Sequence, residues 1–380
     1  MRNSLLIDVG HFSCGCTDHA LESIYKAQSL SDDSLFQPHH DPFQRDHLEE
    51  VTARLISILN SILAGLMLFI TDGKLRKADQ LGRWSPEQLR MTRELLQSKA
   101  PDQLSMDDWM LLVDWLIQRY LPPDVALSEA EYMAVRSNFA GRLQAAMEGR
   151  PANDRLIGGL IAASPVTLSA ASEIGGLSDL EYSMIEFARA RGGELITDIG
   201  ERARHRIKQI LISHQESMIY GEKGATVGSL ETKLRDEFSI LNRDFRRIAI
   251  TETARDTNEG YISSMPYGTV VKRIEAYETA CSFCKSIHGQ EFTVVDPSKE
   301  GKDGWKEVWV GKTNVGRSSS PRKRSGDELV ERTDAELWWP AAGTMHPNCR
   351  GTWVRVSGGY KPNPEIEAFI QRGIGDERKG

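Results

Sequence analysis

The stretch whose reading decides this chain opens with Cys281-Ser282-Phe283-Cys284 and closes with His346-Pro347-Asn348-Cys349-Arg350. A C-x-x-C pair and an H-x-x-C pair together supply three thiols and one imidazole, the ligand set of a tetrahedral structural zinc site. Neither pair can saturate an ion alone. If the two meet, the 61 residues from Lys285 to Met345 become a closed loop whose ends are fixed by the ion rather than by a large apolar core. Two other readings stand beside this one, because C-x-x-C can be a redox dithiol and the thiols can be small buried hydrophobes. A redox pair needs no downstream H-x-x-C, and Cys349 is the only other cysteine in the C-terminal half. Structural zinc on Cys281, Cys284, His346 and Cys349 is therefore the expectation, with His288 a substitute ligand or a bystander.

Small β elements flank these knuckles. Thr269 to Ala276 alternates and is β-branched, and Gln290 to Val295, Glu307 to Val310 and Thr352 to Val356 read as further strands. So few strands cannot build a core alone, and the expected module over residues 266–357 is a zinc ribbon or a treble-clef-like unit. Between Val308 and Gly326 lie Lys312, Arg317, Arg322, Lys323 and Arg324 with no acidic residue, interleaved with Gly, Ser and Pro. This reads as a flexible basic loop with the charge and reach for phosphate contact, or as a surface loop with no partner.

Working outward, the rest of the chain reads as helical. The apolar positions from Leu48 to Leu66 step by three and four, with Gly73 as a stop. Ser85-Pro86-Glu87 and Ser105-Met106-Asp107 are helix starts, and Pro122-Pro123 ends the second of these. Ser128-Glu129-Ala130 begins a fourth helix reaching about Met147. Residues 48–148 are thus expected as a helical domain, with Trp109 and Trp115 as core aromatics or interface markers. Gly and Pro break up residues 149–178, read as a linker or hinge. Residues 179–265 carry a helix from Leu180 to Gly192, a long one from Leu195 to Tyr220 and a third capped by Ser229. The continuation of the third holds Glu252, Arg255 and Glu259, spaced for ion pairs on a solvated face or for a brace under the metal module. Residues 358–380 are expected to be a mobile tail around one short helical turn. The fold class is α+β, mainly α-helical with a small C-terminal module.

At 380 residues the chain is long enough for two or three domains, and a net charge of −7 gives no global preference for nucleic acid. Any DNA contact must be local. Five cysteines, unevenly placed, do not make a secreted disulfide framework, and the N-terminus lacks a signal-peptide core. Leu55 to Ile70 falls short of a membrane span, so no span is expected. Residues 1–47 read as a flexible arm, whose His11, Cys14, Cys16 and His19 form a strained chelate at best. Neither G-x-x-x-x-G-K-[ST] nor G-x-S-x-G occurs, and no carboxylate cluster with flanking histidines offers a two-metal nuclease site.

One further feature is combinatorial. Thr251-Glu252-Thr253-Ala254-Arg255, Asn258-Glu259-Gly260, Lys272-Arg273, the two knuckles and His288-Gly289 occur in an order that resembles the tailed-phage minor head proteins of the Mu F-like, or head-morphogenesis, family. The resemblance covers roughly residues 180–356. Many relatives read C-R-C at the end, where Gly351 follows Arg350 here. What the resemblance implies is a low-copy structural or assembly component of the phage head, located in the virion at the head interior or portal vertex. Its expected partners are the portal and/or major capsid protein, other copies of itself around the portal, and packaged double-stranded DNA held without sequence preference. No enzyme activity is expected. The alternative is a metal-dependent DNA nuclease on a treble-clef-like module with His288 as base. An ADP-ribosyltransferase-like domain has less support still, since Glu252 alone is not a site.

Overall fold

The computed structural model describes residues 39–75, 84–100, 103–221, 224, 226–275, 277 and 279–377. His11, Cys14, Cys16 and His19 lie outside the described residues. Ten helices and six strands appear among those described. The helices are α1 (Pro42–Asp72), α2 (Pro86–Gln97), α3 (Met106–Tyr120), α4 (Pro123–Met147), α5 (Asp154–Ala163), α6 (Leu168–Gly175), α7 (Asp179–Ile219), α8 (Val227–Ser263), α9 (Ser282–Ile287) and α10 (Pro364–Glu377). The strands are β1 (Val270–Ile274), β2 (Glu291–Val294), β3 (Glu307–Val308), β4 (Arg322–Ser325), β5 (Glu328–Glu331) and β6 (Thr352–Ser357). The chain is mainly helical with a small C-terminal sheet region, as expected.

Two compact units are present, and neither is continuous in sequence. Among the described residues the first contains those within 51–130 and 190–246, and the second those within 39–50, 131–189 and 247–377. Helices of 25, 41 and 37 residues at α4, α7 and α8 have residues in both, so the expected boundaries along the chain do not coincide with the units.

In the first unit, Leu55, Leu59, Ile62, Leu66 and Phe69 of α1 are buried, as are Trp109 and Trp115 of α3. Trp115 donates its indole N–H to the Leu89 carbonyl at 2.9 Å. Both tryptophans are therefore core residues. By length and composition α1 could cross a membrane, but half of its most apolar window is buried inside the protein, as the core helix of a globular unit would be. Ser85 and Ser105 cap α2 and α3 through reciprocal capping boxes.

Several elements differ from the sequence reading for identifiable reasons. Helix α4 starts at Pro123 rather than Ser128, since Pro suits the first helical position. The two helices expected on either side of Gly192 and Gly193 are one, α7. Gly193 sits against Leu127, where a side chain would crowd it, so the glycine serves packing rather than a break. Residues 149–178 are not an open linker, because α5 and α6 fill most of the span. The tail is ordered as well. Ile366 and Ile370 of α10 are fully buried, packing with Phe139, Leu143, Leu156 and Leu160.

The sheet of the second unit has strand order β3-β2-β1-β6, with β1 antiparallel to both neighbours and β2 parallel to β3. Its inner face packs Val271, Phe292, Val294, Val308 and Trp353 against Tyr261, Ile262 and Met265 at the end of α8. The tract expected as a flexible basic loop is in part a hairpin, β4 and β5, in which Arg322 lies opposite Glu331 and Arg324 opposite Leu329. Glu331, which faces Arg322, lies beyond Gly326 and so outside the tract read as basic.

Candidate metal centre

Each knuckle is made by a local rule. Cys281 is the N-cap of α9 and its sulfur accepts the Cys284 backbone N–H at 3.4 Å, which turns both side chains to one side. In the second knuckle Cys349 N donates to the His346 carbonyl at 3.2 Å, closing a turn with Pro347 and Asn348 at its centre. Asn348 has φ 61°, the only non-glycine residue with positive φ among those described. Proline first and asparagine second is the composition that a type II turn requires, so H-P-N-C is a turn that returns Cys349 to His346.

The two knuckles meet. His346 Nε2 lies 3.2 Å from Cys281 Sγ and 3.1 Å from Cys284 Sγ, and Cys284 Sγ lies 3.9 Å from Cys349 Sγ. Ideal zinc bonds give tetrahedral edges of about 3.8 Å between sulfurs and about 3.6 Å between sulfur and nitrogen. The sulfur–sulfur separation matches this edge, while the two sulfur–nitrogen separations, 3.2 and 3.1 Å, are shorter than it by about 0.4–0.5 Å. All four residues line one small cavity of about 20 Å³, enough for a single ion or water. His346 Nδ1 donates to the Pro347 carbonyl at 2.7 Å, which commits the proton to that nitrogen and leaves Nε2 facing the sulfurs. Trp338 stacks on the imidazole with ring centroids 5.4 Å apart. Cys281, Cys284 and His346 present ligand atoms within 4.8 Å of one another, Cys284 and Cys349 do so together with Glu275, and the three thiols and the imidazole line one cavity, so the cluster could hold a metal ion, zinc by the chemistry of its donors.

The electrostatics point the same way. Cys281 is drawn down to about 4, by its hydrogen bond with Cys284 first and by His346 against the opposing effect of burial. Cys349 is likewise held well below the ordinary thiol range by Cys284 and, against burial, by the charges of Arg273 and His346. Cys284 moves up, because it donates in both of those bonds. Burial pulls His346 down, but the bond with Cys281 and the negative charges of Cys349 and Cys281 outweigh it and raise the imidazole to about 9. The cluster thus shares protons among donors whose lone pairs converge, and a divalent cation replaces those protons.

Residues of α8 hold the loops around the second knuckle. Thr251 Oγ1 accepts the Asn348 backbone N–H at 2.8 Å, and Asn258 Nδ2 donates to the carbonyls of Gly351 (2.8 Å) and Gly343 (3.3 Å). Arg255 Nη2 donates to Thr313 Oγ1 at 3.3 Å, and Glu259 Oε2 accepts the Gly311 N–H at 3.0 Å. Glu252 and Glu259 are buried. The Thr251 to Glu259 stretch is therefore a brace under the loop rather than a solvated face.

The basic residues do not form one surface. Lys312 is buried, with Nζ donating to the carbonyls of Gly304 and Glu307 at 2.7 Å between the rings of Trp309 and Trp339. Burial pushes its pKa down to about 7. This lysine pins the loop internally and is removed from the DNA-contact set. Arg317 lies flat over Trp339 at 3.5 Å and donates to the Leu337 carbonyl. Lys323 pairs with Glu336, while Arg322 and Arg324 stay exposed on β4. His288 is exposed and its Nδ1 accepts the Glu275 N–H at 2.9 Å, so it is not part of the cluster.

Sequence reasoning missed Glu275 as a site residue and gave Arg273 no role in the cluster. Glu275 lies within ligand distance of Cys284 and Cys349, and Arg273 Nη2 donates to Cys349 Sγ at 3.4 Å. The signal was available: Val271 and Arg273 share the inward face of β1, and an arginine on an inward face beside C-x-x-C needs a buried anion. Comparison of the chain with protein-family models, with curated proteins and with solved structures finds no match in any of the three.

Proposed function

We propose that this chain is a structural assembly protein whose C-terminal module is pinned by zinc, and that it serves as a minor component of a tailed-phage head. In this reading its helical faces meet the portal and/or the major capsid protein, and any contact with packaged DNA is local and sequence-independent. The observation that carries the reading is where the resemblance residues fall. Thr251, Arg255, Asn258 and Glu259 are the residues that bond to the metal loop, and Cys281, Cys284, His346 and Cys349 are the donors around one cavity. A motif whose members brace one closed centre is suited to holding shape. Four protein donors leave no coordination position for a reacting water, which favours a structural ion over the nuclease alternative.

The test has two arms. Metal analysis of the full chain should give about one zinc per chain, and a DNA cleavage assay with zinc, magnesium or manganese should give no product. Cleavage abolished by His288→Ala would instead establish the nuclease. Cys349→Ser should lose the metal and expose residues 269–356 to protease while the far-ultraviolet circular dichroism of the helices largely persists. For the assembly role, cross-linking mass spectrometry of intact particles should join this chain to portal or capsid subunits. Its absence from purified heads would end that role.

A further inference from the structure

The Arg273 side chain is wholly buried on the inward face of β1, and each of its three guanidinium nitrogens has a partner. Nε donates to Glu275 Oε1 at 2.9 Å, Nη1 to the Gly343 carbonyl at 3.4 Å, and Nη2 to Cys349 Sγ at 3.4 Å. Its guanidinium carbon lies over the Trp353 ring, 5.2 Å from the centroid. Burying a guanidinium this completely is costly unless an anion answers it. Glu275, itself buried, is the carboxyl paired with it. Three thiolates around a divalent ion leave one negative charge on the metal centre, and Cys349 Sγ is where the guanidinium meets it.

We propose that Arg273 is the positioning residue of the metal centre: clamped by Glu275, it aims an N–H at the Cys349 sulfur and fixes that thiolate for the ion. Position 351 records the arrangement. A Cβ there would overlap Glu275 Oε1 and crowd Arg273 Nη2, and the backbone cannot retreat because the Gly351 carbonyl is held by Asn258. Gly351 has ordinary backbone angles, so the glycine is required for space and not for conformation. Outer hydrogen bonds to a ligand typically change metal affinity tenfold to a hundredfold. The inference rests on the metal reading above and adds the residues that orient one of its ligands.

The experiment loads the full chain, as wild type and as Arg273→Met, Arg273→Lys, Gly351→Ala and Glu275→Gln, with Zn(II) and separately with Co(II). Arg273→Met should weaken zinc about tenfold to a hundredfold in competition with a chelator. It should also move the sulfur-to-cobalt charge-transfer band to longer wavelength, because the thiolate has lost a donor. Gly351→Ala, which keeps every donor but displaces the pair, should move the band the same way, and Arg273→Lys should recover part of the affinity. Should Arg273→Met fail to fold, Gly351→Ala and Arg273→Lys carry the test. Wild-type affinity and band position in Arg273→Met and Gly351→Ala would overturn the proposal. So would loss of an oxygen neighbour from the zinc X-ray absorption shell in Glu275→Gln, which would make Glu275 a ligand rather than a clamp. A wild type that binds neither ion sinks the metal reading itself, and this inference with it.

Discussion

At His346 one ring nitrogen is committed to a carbonyl and the other faces two sulfurs, an assignment made by a single backbone turn. Pro-Asn between His and Cys encodes that turn's geometry, although the sequence reading took the four residues only as a ligand pair. Arg273 and Glu275 were not legible as a pair, since their role depends on a sulfur 74 to 76 positions away in sequence. A different buried residue gives a prediction with a definite sign. Burial pushes His47 down to about 3, with Arg136 adding to the effect, and its Nε2 sits 2.9 Å from Ser137 Oγ. A folded pKa below the unfolded one means the neutral ring stabilises the fold above pH 6.5, and that contribution is lost as pH falls toward 3. By pH 5 the loss is about 2 kcal/mol for this one histidine. His47→Gln should therefore flatten the fall in urea midpoint between pH 7 and pH 5 relative to wild type. Equal falls in both proteins would show that His47 is not the group being titrated.

Helices α4 and α8 show what elements decide and residues alone do not. A Cβ at Gly141 would overlap the Thr257 carbonyl, and one at Gly260 the Asn138 carbonyl, so the two backbones touch at this crossing. Gly260 closes the Asn258-Glu259-Gly260 triplet, and the structure gives it a packing reason that helical propensity could not reveal. Gly141→Ala or Gly260→Ala should cost about 3 kcal/mol or more, as overpacking against rigid backbone does. Gly159→Ala in α5, with nothing near its Cβ, should stabilise by about 0.5–1 kcal/mol. Urea unfolding of the three variants decides, and similar effects at all three sites would refute the crossing argument. The β4 and β5 hairpin makes a second case. Counted as charges, Arg322, Lys323 and Arg324 would together change the salt slope of DNA binding by about three. With Arg322 opposite Glu331 and Lys323 on Glu336, replacing all three by Ser should change it by about one. Anisotropy titrations across a range of salt would read the slope, and a change near three would mean the acidic strand does not neutralise them.

For the whole molecule, the sequence marked where helices begin and end but not which of them share a core. Capping serines and prolines act over a few residues, so α2 and α3 were readable almost to the residue. Which stretches of α4, α7 and α8 join which unit depends on tertiary packing, and glycine-rich residues 149–178 looked like a boundary because breaks and boundaries share a composition. The proposed zinc site gives a way to separate the units by experiment. All four donors, the sheet and the brace from Thr251 to Glu259 belong to the unit that contains residues 247–377. Structural zinc binding is coupled to folding of its own module, so removing the ion should release protection there first. Chelation of the zinc-loaded chain should raise amide exchange in β1, β2, β6 and the 251–263 part of α8 by at least about a hundredfold. Exchange in α3, whose Leu112, Val113 and Trp115 are buried in the other unit, should change less than about threefold. Hydrogen exchange with mass spectrometry resolves these segments. Equal loss of protection in α3 and in the sheet would mean that the ion supports the entire fold and not one module of it.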